Sequence, residues 1–435
     1  MRHVLPYIYN KVGHAVDCNR DKMFRKLFLV SLFAFVALAP AFAQKKEISQ
    51  AKSAIKAGKA VEAEASMRKL LADSAHRQNE KIWLVLFDAV KKQYEDVNEK
   101  MYLKQSTDTA KLFDAAYRMF GVLEALDSVD AMPDKNGRIK LKYRRKHADY
   151  LDAYRKNLYT GGSYFLNKQD YPRAFKLFAA YIDCASQPLF ESQQYASRDK
   201  RLPSAAFYAL YSGYRANDAA ATLRYKQLAE TDTARLPLTL EYEAETYRAQ
   251  ADSVGYLATL EKGFAHDPAS GYFFPHLFDY RFQRGDTARA LDVCNRSLAV
   301  NAKSTVAMEA KSAVLLTMKR YDECVQVCDS VIAVDDTAAN AYLNAGLAYF
   351  NQAVKIDNAP KHTRAERAEM LALYRKSLKY MQPYRQLAPA RSDLWAMPLY
   401  TIYLNLNMGK EFVEIDAIMK QKRKGRGRSI SAGLK

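Results

Sequence analysis

Glycine and proline are scarce in this chain, at 16 and 13 of 435 residues, and cysteine is scarcer still at five. So little turn chemistry, with no Val/Ile/Thr alternation anywhere, argues against strands and leaves an all-helical chain. Four cysteines, Cys184, Cys294, Cys324 and Cys328, lie beyond residue 43, too few to staple a small disulfide-dependent fold. Catalytic signatures are missing too. The seven histidines form no H-E-x-x-H, and none pairs with cysteine at zinc-finger spacing. There is no G-x-x-x-x-G-K-[ST] and no G-x-S-x-G. Ser53 and Lys56 spell S-x-x-K without the partner motifs of a penicillin-binding enzyme, and carboxylate pairs such as Glu241 and Glu245 are ordinary on helix surfaces. No enzyme activity, cofactor or metal is expected.

Long apolar runs are also lacking, and the longest is informative. MFRKLFLVSLFAFVALAPAFAQ, from Met23, places Arg25 and Lys26 before an apolar run from Leu27 to Ala39 and ends in Ala41-Phe42-Ala43 before Gln44. The run falls short of the roughly 20 apolar residues that span a bilayer, and small-x-small is what a signal peptidase accepts. A cleaved signal is expected, with the mature chain starting at Gln44 and exported to the periplasm or secreted. The polar residues before Met23 suggest a start site assigned too early. No cysteine follows the junction, which argues against a lipid anchor, and no transmembrane segment is expected in the mature chain.

The 392 residues after Ala43 are too many for one ordinary core and suggest a repeat array. A shift of 34 residues superposes RGDTARALDVCNRSLAVN, from Arg284, on the stretch containing RYDECVQVCDSVIAVD, from Arg320, and a further shift back reaches QADSVGYLATLEKGFAHDP, from Gln250. Asp218, Asp252 and Asp286 keep the same spacing, each where a second helix would begin and an Asp could cap it.

This period and its residue choices resemble the tetratricopeptide repeat, a helix-turn-helix unit with small and large residues at set positions. In the unit from Ala339, positions 4, 8 and 11 are Tyr342, Gly346 and Tyr349. Positions 20 and 24 are Ala63 and Met67 in a first unit, Ala174 and Phe178 in the unit from Arg155, Ala290 and Cys294 in that from Gly271, and Cys324 and Cys328 in that from Thr305. The unit from Pro237 has Ala244, Tyr247, Leu260 and Pro268 at 8, 11, 24 and 32, and one from Pro203 fits loosely, with Leu210 where a small residue is expected. The resemblance implies a right-handed α-solenoid of stacked helix-turn-helix repeats and, with the signal, an exported protein of the Gram-negative envelope type.

Four regions follow: a leader over 1–43, a first repeat and long helices over 44–154, an array over 155–417 with an insertion near 351–370, and a basic tail over 418–435. Cys324 and Cys328 share a helix face and read as core residues, since buried cysteine behaves as a small hydrophobe. A disulfide between adjacent helices or a zinc site are the alternatives. Of the formal charge of +19, the segment from Lys420 contributes +7, with no acid. Such a tail should be disordered, serving either as a solubilising end or as a contact for a polyanion. Nucleic acid is not expected as a partner of an exported chain.

The family uses its concave face to grip protein segments, so a protein or peptide partner is implied in that groove. First-helix positions near 2, 5, 9 and 12 give Glu241, Glu245 and Arg248, then Tyr272, Asp279 and Phe282, then Asn340 and Phe350. These differ from the Lys/Asn/Arg clamp that holds a C-terminal carboxylate in some members. A non-catalytic scaffold or adaptor is the leading reading, and a structural component of an envelope assembly the alternative.

Overall fold

The computed structural model describes residues 44–432, with side chains to 420. The leader and its cleavage junction lie outside the described residues. Every regular element among them is helical. The described residues divide into two compact units, the first ending at 239 and the second beginning at 240.

In the first unit, α1 (44–56) and α2 (Ala60–Ala72) form the expected opening pair, joined where Gly58 takes a φ of +77°. Ala63 and Met67 are buried, as their repeat positions require. Two long helices follow, α3 (Glu80–Tyr102) and α4 (Thr109–Asp130), then a loop to α5 (Arg144–Asn167) and α6 (Tyr171–Asp183). The border expected at 154/155 falls inside α5, whose buried Leu151 and Leu158 continue one apolar stripe across it. Glu64 ties three helices by accepting from Arg68 at 2.8 Å, Gln93 at 2.7 Å and Arg118 at 2.8 Å. Further along, the Arg155 guanidinium lies between the rings of Tyr181 and Tyr195, 3.8 and 3.9 Å from their centres, and donates to Asp199 at 2.6 Å.

The unit closes with α7 (Tyr195–Arg198), α8 (Leu202–Arg215), α9 (Ala219–Arg224) and α10 (Lys226–Ala229). Leu210 is fully buried, and the small residue expected there stands one turn later. A Cβ on Gly213 would lie 2.4 Å from the Thr222 backbone nitrogen, so only glycine permits this crossing of α8 and α9. Next, α11 (Leu236–Ala249) crosses the border between the units.

The second unit runs through α12 (Ser253–His266), α13 (Phe273–Phe282), α14 (Thr287–Val300), α15 (Thr305–Thr317) and α16 (Tyr321–Ile332). It ends with α17 (Ala339–Asp357), α18 (Arg364–Leu387), α19 (Ser392–Asn405) and α20 (Gly409–Ala432). The helices follow one another as helix-turn-helix pairs, and their turns repeat at 34 residues. Asn217, Ala251, Gly285 and Lys319 take φ values of 55°, 56°, 74° and 60°, and only one is glycine. Asp218, Asp252 and Asp286 then cap the second helices by accepting from first-turn backbone N–H groups. At the fourth place Arg320 provides no cap and pairs with Glu323 instead.

Cys294, Cys324 and Cys328 are fully buried free thiols, in the core slots their repeat positions assign. The Cys324 Sγ donates to the Ser312 carbonyl at 3.3 Å, and Asn344 donates to the Ser312 hydroxyl at 2.8 Å. Burial pushes the Cys294 thiol up to about 12. The extra length near 351–370 is taken up by a longer α17, a short loop and the start of α18, which a Thr363–Glu366 capping box fixes. The backbone of α20 runs to Ala432, through the segment expected to be disordered. Lys and Arg are good helix formers and no proline intervenes.

Candidate functional site

On α11, Glu241, Glu245 and Arg248 are spaced by four and three residues, which puts them on one face. Facing them on α13 are His276, Asp279 and Tyr280, with Tyr272 at its start. Glu245 joins the two helices. Its Oε1 accepts from the Tyr272 hydroxyl at 2.7 Å, and its Oε2 pairs with Arg248. Burial, and then the neighbouring Glu245, raise the Glu241 carboxyl above the usual range, with His276 pulling the other way.

Beside this contact lies an open cavity of about 470 Å³ lined by Tyr247, Arg248, Tyr256, His276, Asp279, Tyr280 and Arg284, with the α11–α12 turn at its edge. Tyr256 and Tyr280 meet with ring centres 6.0 Å apart and planes at 60°. The Arg284 guanidinium covers the Tyr280 ring at 3.6 Å. Burial raises the Tyr256 hydroxyl above its usual range, opposed by Arg248 and reinforced by Glu245 and Asp279, so these charges converge on one ring. The site thus offers aromatic faces bordered by two guanidinium groups and a carboxylate.

Ser253, His276 and Asp279 also line this cavity, yet they form no catalytic relay. The His276 Nδ1 lies 2.7 Å from the Tyr272 carbonyl, which can only accept, so Nδ1 carries the proton and is already used. No hydrogen bond among the described residues joins Ser253 to His276, and a nucleophile without its base is not activated. No cluster of three His, Cys, Asp or Glu among the described residues could hold a metal ion.

Of the eight residues read from repeat positions, the structure gathers Glu241, Glu245, Arg248, Tyr272 and Asp279 at or beside the cavity. The other three lie elsewhere. Phe282 stacks on Phe278 at 5.3 Å, Asn340 donates to Glu309 at 3.1 Å, and Phe350 packs on Tyr374 at 6.1 Å in the core formed with α18. Missing from the sequence reading were Tyr256, His276, Tyr280 and Arg284. Tyr256 was legible in principle, because it occupies position 20 of its unit, where the repeat otherwise puts a small residue.

No family model matches the chain, and no curated protein does. Among solved structures, MamA from residue 41 to its end, of Desulfovibrio magneticus, is 18% identical over 42% of this chain and 96% of that one, with a TM-score of 0.34. The C-terminal part of a TPR repeat-containing protein from Cytophaga hutchinsonii is 9% identical over 60% and 95%, at 0.38. The P58(IPK) TPR domain is 10% identical over 87% and 99%, at 0.24. Matches this distant carry over neither a partner nor an activity.

Proposed function

We propose that the protein is a non-catalytic scaffold that grips a segment of a protein partner, with the cavity between α11, α12 and α13 as its anchor point. The pairing of Tyr256 and Tyr280 between Arg248, Asp279 and Arg284 carries this reading. Two rings meeting at an angle supply rigid contact area at little entropic cost, and guanidinium groups with a carboxylate add polar contacts of both signs, with Tyr and Arg among the residue types enriched where binding energy concentrates. A cavity of about 470 Å³ holds one or two side chains of an extended or helical segment.

On this reading the chain is an adaptor exported through its leader, cleaved after Ala43 and working in the periplasm or outside the cell. No helix among the described residues is long and apolar enough to cross a membrane. The basic stretch from Lys420, with seven Lys/Arg and no acid, would contact a polyanion alongside the partner. A structural part of an envelope assembly is the second reading, and pull-down from envelope extract separates the two. One stoichiometric partner is expected of an adaptor, and several co-purifying membrane components would favour the assembly.

A further inference from the structure

The first unit has a second concavity of different chemistry. Three helices build it: α1 contributes Lys52, α3 contributes Lys81, Asp88 and Lys91, and α5 contributes Lys146 and Tyr150. Its volume is about 360 Å³, within the range of small-ligand sites. Along α3 the steps from Lys81 to Asp88 and on to Lys91 are seven and three residues, which aligns all three on one face.

Four lysines therefore line the concavity together with one carboxylate. Lys91 is partly engaged, with its Nζ 3.6 Å from Glu95 and 5.1 Å from the centre of the Tyr150 ring. The ammonium groups of Lys52, Lys81 and Lys146 form no ion pair and no hydrogen bond among the described residues, and Asp88 forms no ion pair there either. Burial, with Glu95, raises the Asp88 carboxyl against the pull of Lys91, Lys52 and Lys146, so these three lysines bear on the carboxylate without closing on it. Burial, and then Lys146, hold His147 below its usual range, which leaves it uncharged at neutral pH. The lining itself therefore carries four lysines against one carboxylate, with Glu95 just outside it paired to Lys91, and the balance stays positive.

Like charges held around a concavity repel one another, and a concave wall focuses their field on whatever enters. We propose that this pocket binds a hydroxylated phosphate ester. The lining has lysines and no arginine. It offers separate point charges that suit a phosphate dianion and lacks the planar fork that matches a carboxylate. Asp88 accepts from an alcohol hydroxyl of the ligand, a group that inorganic phosphate does not carry on a carbon body. Leu84, Phe87 and Tyr150 give the carbon body an apolar wall. The ester is either a free sugar phosphate or the headgroup of a phospholipid, and the chemistry recognised is the same.

Calorimetric titration of the full chain with glucose 6-phosphate, and co-sedimentation with phosphatidylcholine vesicles with and without phosphatidylinositol 4-phosphate, whose headgroup carries both a phosphate monoester and free hydroxyls, test the proposal and separate the two sources. Saturable binding of the sugar phosphate, with glucose silent, identifies a free ester. Binding confined to phosphatidylinositol 4-phosphate vesicles identifies a headgroup. In either case Lys81→Ala/Lys146→Ala should weaken binding at least tenfold while melting temperature and helicity stay unchanged, because both side chains are exposed. The proposal is overturned if neither probe binds, if the double variant binds as tightly as the parent, or if Lys422→Ala/Lys424→Ala in the basic tail abolishes binding equally.

Discussion

Glu124 offers a quantitative test of how the first unit is packed. It sits on α4 near Asp183 at the end of α6, and its side chain makes no hydrogen bond among the described residues. Asp183 gives no relief, since it is engaged by Arg224 at 2.8 Å and Tyr225 at 2.7 Å. Burial, and then the Asp183 charge, raise the Glu124 carboxyl from 4.5 to about 7. Between those values the folded chain holds a proton that the unfolded chain does not. Stability is therefore highest toward acid and falls as pH rises through the window, by on the order of 2–3 kcal/mol between pH 5 and 8. Glu124→Gln removes the titration and keeps the shape. Burial holds His147 down, which works in the opposite sense, since stability is lost as pH falls past its unfolded value near 6.5. Taking the difference between parent and variant cancels that contribution. Trp83, on α3, reports this unit directly once Trp395 is replaced by Phe. Urea unfolding of both proteins by Trp83 fluorescence at pH 5, 6.5 and 8 should show the variant gaining on the parent as pH rises. Parallel pH profiles, or a parent that gains on the variant toward pH 8, would refute this packing of Glu124.

Ala251 holds a left-handed φ of 56°, which a side chain tolerates poorly, so Ala251→Gly should raise stability by about 0.5–1 kcal/mol and Gly285→Ala should lower it by a similar amount, read by thermal melts. Cys328→Ser places a poorly satisfied hydroxyl in the core and should cost about 1–3 kcal/mol in urea, with Cys328→Ala costing less, whereas collapse of the parent under reductant or chelator would contradict a core role. If the proposed export by cleavage after Ala43 holds, intact mass of the protein from its native cells should show Gln44, free or cyclised, at the N-terminus, and retention of Met23 would count against it.

Much of the fold was legible because the repeat makes the same physical demands every 34 residues. Asp218, Asp252 and Asp286 could be placed as caps from their spacing, and Cys324 and Cys328 as core from the repeat slots that the family resemblance implies. The turn residues beside those caps were harder to see. Only Gly285 advertises a positive φ, while Asn217, Ala251 and Lys319 are held there by the helix ends that flank them. Leu210 misled because the α8–α9 crossing is made one turn later, at Gly213, and the 154/155 border cut a continuous helix because no turn residue marked either side. Half of the candidate site escaped for a related reason. Repeat positions say which residues point toward a face, but Phe282 and Phe350 turn to neighbouring rings that lie far off in sequence or on their own helix. Tyr256 enters the cavity from a second helix, which a first-helix template passes over. The Lys52, Lys81, Lys91 and Lys146 grouping needs three helices to be placed before it exists at all.

The claim that the α11–α13 cavity anchors a protein partner is tested most directly by the affinity of the co-purified partner for two double variants. Tyr256→Ala/Tyr280→Ala should weaken the complex at least tenfold with helicity unchanged, because it removes both rings of the anchor. Val300→Ala/Val306→Ala, at exposed positions away from the cavity, should leave it as it was. An undiminished affinity in the tyrosine pair, or an equal loss in both pairs, would contradict the account.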